Sequence, residues 1–376
     1  MTVRLIHAET LYDGTGAPAR RNCLIEVAAG RIRDISPAPA VVPRGALAVE
    51  VAAPGFIDLQ INGAADVQFN DAPTDDAVER IVAGARQGGA AHILPTFITA
   101  EDDAWHAAID AVHLARQRAM PGVLGLHLEG PFISPRRPGI HPANAIRRMT
   151  EADLRRLEGA GIPLLLTLAP EEQPDGAIRR LAQGGVRVFA GHSAATAEQI
   201  DRAVDEGLVG ITHLWNAMPP PQGRAPGIVT RTLTHPSLCA GIIADGHHVD
   251  PLNLQLAARM MPDRLFLVTD AMRTFAGTDP GFDLMGTPVR LEEGRLTGPD
   301  GTLAGAHLGL DSAVRTMIHS AGTTPEAAVR MASATPARVM GLGDQLGLLA
   351  PGYRASLTFL DAAWQATGGL VDGLAW

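Results

Sequence analysis

The sequence predicts an α/β fold, a (β/α)8 TIM-like barrel, with a small β unit built from both chain termini. Three observations predict it. Eight short apolar runs follow one another after Pro54, with amphipathic stretches between most of them, the pattern of parallel βα units. Four of these runs end in a residue with catalytic chemistry. GVLGLHLEGP carries Glu129, RVFAGHS carries His192, GITHLWNAM carries His213 and RLFLVTDA carries Asp270. The carboxyl ends of barrel strands are where barrel enzymes keep their active sites. Finally, both ends of the chain have strand character that the barrel does not need.

In chain order, residues 1–53 alternate polar and apolar positions between turns. VRLIHAETL, NCLIEVAAGRIRDISP and LAVEVAAP predict strands of a small antiparallel unit. Residues 54–344 make the barrel. Its strands are predicted at GFIDLQIN, HILPTFIT, VLGLHLEG, PLLLTLAP, RVFAGHS, GITHLW, CAGIIADG and RLFLVTDA. TDDAVERIVAGARQGG, EDDAWHAAIDAVHLARQRA and TAEQIDRAVDEG have apolar residues at helical spacing, with Thr74 and Thr196 as N-caps. The Gly- and Thr-rich segment near 282–305 predicts a β-hairpin excursion. LDSAVRTMIHSAG and TPEAAVRMASATPARVMG predict two more helices. Residues 345–376 return to strand character and complete the unit begun by residues 1–53. The barrel is therefore inserted between its halves.

Composition narrows the function classes. A chain of 376 residues with 46% apolar and 19% charged content fits a soluble globular protein with a large core. A net charge of −9 argues against a nucleic-acid partner, and an anionic substrate would need a local basic pocket. The first residues lack the apolar core of a signal peptide. The longest apolar runs, such as IPLLLTLA, are too short to span a bilayer, so no membrane role is expected. Cys23 and Cys239 stand in strand-like contexts and read as reduced thiols, pointing to a cytoplasmic location. The chain contains no lysine, which excludes Schiff-base chemistry and a carboxylated-lysine metal bridge.

The candidate site is strongest as a set. Glu129 alone could be half of a salt bridge, and a lone histidine is usually structural. His192 and His213, however, lie 21 residues apart, about one βα unit, at neighbouring strand ends. One carboxylate and two imidazoles so arranged can hold a divalent ion and leave a position for water. Such a nitrogen and oxygen set suits zinc, with iron as the alternative. Asp270 is either a barrel-closing hydrogen-bond group or the general base. His141 lies in a Pro- and Gly-rich loop, long enough to fold over the site as a lid, although loops of this kind are also simply solvated. Arg224 in PQGRAPG and the pair His247 and His248 in ADGHHVD follow later strands and suit an anion. Asn216 and Ala217 could add donors to the same anion.

These residues carry a resemblance. PGFIDLQING, LPTFIT, GLHLEGPFI, GIHP, LAPE, AGHS, THLWNAMPP, GRAPG, GIIADGHHVD, LVTDA and GTLAG run in the order found in the N-acetylglucosamine-6-phosphate deacetylases of the amidohydrolase superfamily, over nearly the whole chain. The resemblance implies a barrel with a small β-sandwich. It implies a metal on Glu129, His192 and His213, with Asp270 as acid and base and His141 on the scissile acetamide carbonyl. It implies that Gln60, Asn216, Ala217, Arg224 and His248 contact a phosphorylated amino sugar. A homodimer is also implied, with Arg224 and His248 reaching across the interface. Where many superfamily members carry His-x-His at the first strand, this chain has Gln60 and Asn62. Together with the absent lysine, that argues for one metal per subunit. The stretch DAMRTFAGTDPGFDL after Asp270 departs from the familiar pattern and bears on sugar preference. The expected reaction is deacetylation of N-acetylglucosamine 6-phosphate to glucosamine 6-phosphate and acetate. The competing readings are the N-acetylgalactosamine 6-phosphate reaction or another N-acyl amino sugar, a hydantoinase-like cyclic amidase, and a non-catalytic barrel scaffold.

Overall fold

The structure, a computed structural model, describes residues 3–376. Eight parallel strands form one sheet in chain order: Phe56–Ile61, Ala90–Ile98, Leu126–Glu129, Leu164–Leu168, Arg187–Ala190, Gly210–Ile211, Cys239–Ile243 and Leu265–Val268. They coincide with the eight predicted runs. The sheet closes between the eighth and first strands at the mouth of the barrel. There Ile61 pairs with Ala271, and Asp270 N donates to Gln60 O at 2.8 Å. Every residue of the first two strands is buried, because their side chains meet either the barrel interior or the helical layer.

The helices form where the spacing predicts them. Asp75–Gln87 buries Val78, Ile81, Val82 and Ala85 on one face, carries Asp75 and Asp76 in its first turn and Arg86 in its last, and so suits the helix dipole. Thr74 caps it by accepting from Ala77 N. Thr196 caps Ala197–Glu206 in a reciprocal box with Gln199, which satisfies two otherwise unpaired backbone donors.

Three expectations change in detail. The terminal strands Leu5–Leu11, Arg20–Ala28, Arg31–Pro37, Leu47–Pro54, Leu357–Leu360, Ala366–Val371 and Leu374–Ala375 form one seven-stranded sheet. It is mixed rather than antiparallel, because Leu5–Leu11 and Leu47–Pro54 run parallel. Leu47–Pro54 leads directly into the first barrel strand at Phe56, and that continuation sets its direction. The sheet folds back on itself through bonds such as Val3 N to Gly373 O and Ala355 N to Gly30 O, enclosing Ile6, Ile25, Leu357, Phe359 and Leu370. Residues 1 and 2, assigned to this unit from the sequence, lie outside the described residues.

The excursion near 282–305 is a four-stranded antiparallel sheet, Gly281–Leu284, Thr287–Glu292, Arg295–Thr297 and Leu303–Ala306, rather than a single hairpin. Met285–Gly286 and Glu293–Gly294 each supply two consecutive positive φ values, the backbone that tight two-residue hairpins need. The last predicted helix is broken into Pro325–Ala332 and Ala334–Val339. Pro336 lacks an N–H and its ring crowds the carbonyl four residues back, so the first helix stops there. Cys23 and Cys239 are both free. No helix among the described residues is long and apolar enough to cross a membrane.

Candidate active site

Glu129, His141, His192, His213, Asn216, Ala217, His248 and Asp270 converge at the mouth of the barrel. His192, His213 and Asp270 each lie just past a strand and have positive φ, at 47°, 28° and 51°. Non-glycine residues rarely adopt this backbone, and it persists only where surrounding bonds over-determine it. Ser134 N donates to His192 O, and Ala306 N donates to Asp270 O.

Glu129 Oε1 lies 3.1 Å from His192 Nε2 and 2.9 Å from His213 Nε2, and the two Nε2 atoms are 3.1 Å apart. All three side chains are buried. His192 Nδ1 faces the carbonyl oxygen of Arg137 at 3.0 Å. A carbonyl only accepts, so Nδ1 carries the hydrogen and Nε2 presents a lone pair to the carboxylate. Two acceptors at that distance repel unless a proton or cation joins them. A tetrahedral ion with bonds of about 2.0 Å has ligand atoms about 3.3 Å apart, close to the triangle seen here. The three residues therefore fit a divalent ion. Burial alone would raise the carboxyl of Glu129, but the two imidazoles packed against it outweigh burial and hold it well below the usual range. Burial would likewise lower His213, but Glu129 overrides it and raises the imidazole above its ordinary value.

Asp270 faces this triangle across a cavity of about 220 Å³. Its Oδ1 accepts from Asn62 Nδ2 at 2.7 Å and from Gln60 Nε2 at 3.1 Å. Gln60 Nε2 also donates to Glu129 Oε2 at 3.1 Å. Gln60 is thus a buried bridge between the two carboxylates and is absent from the cavity lining, whereas Asn62 lines it. Asn62 Oδ1 is buried without a partner among the described residues, an acceptor left for a bound molecule. Burial, then the charge of Glu129, pushes the Asp270 carboxyl up to about 6. Beneath it, Asp58 ties the first strand to the eighth, accepting from Gln60 N and Thr269 N at 3.2 Å and from Thr269 Oγ1 at 2.5 Å.

His141 reaches the cavity from its loop, with Nδ1 2.8 Å from Thr99 Oγ1. Burial, then the charge of His192, holds it well below the ordinary histidine value, so it is neutral. Asn216, Ala217 and His248 also line the cavity. His248 Nδ1 donates to Asp245 Oδ2 at 2.6 Å. The resemblance implies a contribution of His248 across an interface; within this chain it lines the cavity, with Asp245 holding the ring at Nδ1. Arg224 is exposed and stands apart from that lining. Thr99, Asp245 and Asp58 have no signature in the sequence, since their roles arise from partners distant in the chain or from the fold of a loop.

Comparison with known proteins identifies the family. Residues 51–371 match the amidohydrolase family. The chain is 38% identical to an N-acetylgalactosamine-6-phosphate deacetylase of Escherichia coli O157:H7 over 345 residues, covering 90% of each chain. It is 32% identical to an N-acetylglucosamine-6-phosphate deacetylase of Haemophilus influenzae over 324 residues, covering 85% of this chain and 84% of the other. The solved N-acetyl-D-glucosamine-6-phosphate deacetylase of Mycobacterium smegmatis, in complex with N-acetyl-D-glucosamine-6-phosphate, superposes with a TM-score of 0.91 at 30% identity, covering 100% of this chain and 99% of the other.

Proposed function

Because this chain belongs to the amidohydrolase family, we propose that it hydrolyses the N-acetyl group of N-acetylglucosamine 6-phosphate, releasing acetate and glucosamine 6-phosphate. The observation that carries the reading is the Glu129, His192 and His213 triangle with Asp270 facing it across one cavity. The similar proteins named above act on 6-phosphorylated N-acetyl amino sugars, which supports the substrate class.

Glu129, His192 and His213 would hold one divalent ion, with zinc favoured by the nitrogen-rich set and iron the alternative. When bound, such an ion supplies Lewis-acid chemistry, making a water acidic near neutral pH and polarising a carbonyl. Asp270, raised to about 6, accepts the proton of the attacking water. It then returns that proton to the amide nitrogen, because an unprotonated amine is a very poor leaving group. Gln60 and Asn62 occupy Asp270 Oδ1 and so aim the carboxylate. Neutral His141, held at Nδ1 by Thr99 Oγ1, would in its Nε2–H tautomer donate to the carbonyl oxygen as charge develops there. Asn216, Ala217 and His248 lie on the side suited to the phosphosugar, and Gln60 acts through the two carboxylates. Arg224 fits a contribution from a second copy in a homodimer, since its own chain leaves it exposed. The two free thiols, Cys23 and Cys239, suit a reducing, cytoplasmic setting.

The galacto epimer is the second reading, favoured by the 38% identity to the Escherichia coli galactosamine enzyme. A panel of both N-acetylhexosamine 6-phosphates, both free sugars and a hydantoin, assayed at matched metal content, tests the proposal. Acetate release from the glucosamine substrate supports it. Turnover of the hydantoin alone, or of nothing, refutes it.

A further inference from the structure

The cavity has one wall that the proposed chemistry leaves unused. Ile98, Ile140, Met272 and Leu303 line it together with the catalytic groups. Their place follows from the order of strands around the barrel. Ile98 ends the second strand and is the strand partner of Glu129, so the two side chains lie side by side on the inner face. Met272 follows Asp270 by two residues, and Leu303 opens the last strand of the four-stranded excursion. The apolar wall thus spans the second strand, the exit of the eighth and the excursion. His213 and Asn216 follow the sixth strand, across the mouth from the second, and His248 follows the seventh, beside the eighth.

The acyl carbon of the substrate has three substituents. Its oxygen belongs with His141 and its nitrogen with Asp270, which must protonate it. The sugar on that nitrogen extends toward the polar groups, Asn216 and His248. The alkyl group is left for the apolar wall. On the deacetylase reading, on which this inference rests, we infer that Ile98, Met272 and Leu303 form an acyl pocket that sets the maximum chain length of the N-acyl group.

The wall is built to resist expansion. Ile98 and Met272 are 2% exposed and pack in a cluster with Leu284, Val289 and Leu296 of the excursion. Gly305 has φ of 66°, and a Cβ there would meet Met272 Cγ at 2.7 Å and Asp270 O at 2.9 Å. Glycine lets the excursion strand press directly against Met272, leaving no slack behind the side chain. A densely packed wall meets an extra methylene as a clash rather than a deformation.

The test compares kcat/KM for N-formyl, N-acetyl, N-propionyl and N-butyryl glucosamine 6-phosphate in the metal-loaded wild type and its variants. A methylene in or out of an apolar pocket is worth roughly 10–200-fold, so wild-type activity should fall by that order from acetyl to propionyl. Met272→Ala and Leu303→Ala should each raise the butyryl-to-acetyl ratio by about tenfold or more, while Met272→Leu should keep the wild-type ratio. Leu303→Phe should raise the formyl-to-acetyl ratio instead. Leu303 is only partly buried, so its variants test the pocket even where Met272→Ala fails to fold. Normal N-acetyl turnover with acyl ratios unmoved in both Leu303 variants overturns the pocket alone. Failure of the wild type to deacetylate either N-acetylhexosamine 6-phosphate overturns the underlying reading, and the pocket with it.

Discussion

Asp270→Asn should remove catalysis, keep the metal and stabilise the metal-free protein. The carboxamide has the shape of the carboxylate, and its oxygen can keep the bonds from Gln60 and Asn62 to Oδ1. The Glu129, His192 and His213 triangle is untouched. The side chain can no longer accept a proton, and loss of a general base costs roughly 10²–10⁴-fold in rate, or about 3–5 kcal/mol of transition-state stabilisation. The stability effect follows from burial and the repulsion of Glu129, which raise Asp270 from 3.8 to about 6. The folded carboxyl then keeps its proton to higher pH than the unfolded one, so stability falls as pH rises from about 4 to about 6. Above that window the whole penalty is present. Each tenfold change in proton affinity is worth about 1.4 kcal/mol, so the penalty is at most about 3 kcal/mol. At about 2.1 cal/mol/K per residue over 376 residues, relieving it raises Tm by up to about 4 °C at neutral pH. Single-turnover kinetics on metal-loaded protein and calorimetry on chelated protein measure the two effects. Wild-type turnover in the loaded variant refutes Asp270 as the base. A lower Tm in the metal-free variant refutes the account of a strained, buried carboxylate.

Elemental analysis should find about one divalent equivalent per chain, as the three-ligand set implies, and two tightly held equivalents would contradict the role given to Gln60 and Asn62. Arg224→Ala should raise KM for the 6-phosphate and leave the free sugar little changed. Equal loss on both makes Arg224 structural. Mixing that variant with Asp270→Asn should restore activity above the sum of the parents if the site is shared between subunits; no recovery, with subunit exchange verified, refutes sharing. Asp58→Asn probes a second buried carboxyl, pushed up to about 7 by burial. Its charging destabilises the fold as pH rises from about 4 to about 7, by up to about 4 kcal/mol on the same conversion. Urea midpoints of the variant should therefore gain on wild type across that window, and a constant difference would rule out the titration.

The strands, the clearest helices and the Glu129, His192 and His213 group that could hold a metal are legible in the sequence because each rests on local information. Apolar periodicity marks the strands, threonine caps mark two helices, and a residue just past a strand must face the barrel mouth. The breaks in that legibility have local causes too. The excursion gains two strands because Met285–Gly286 and Glu293–Gly294 both turn the chain, and the last helix breaks because Pro336 cannot sit in its interior. What tertiary structure alone decides is how the site is tuned. Gln60 turns from an expected sugar contact into a bridge between Glu129 and Asp270. His248 joins its own chain's cavity while Arg224 stays outside it. The apolar wall of Ile98, Met272 and Leu303 leaves no mark in any one segment, because its members come from two strand ends and an excursion. Residue type and spacing fix which chemistry is available. Which groups share a buried space, and so perturb or aim one another, depends on barrel closure between Gln60 and Asp270, 210 residues apart in the chain.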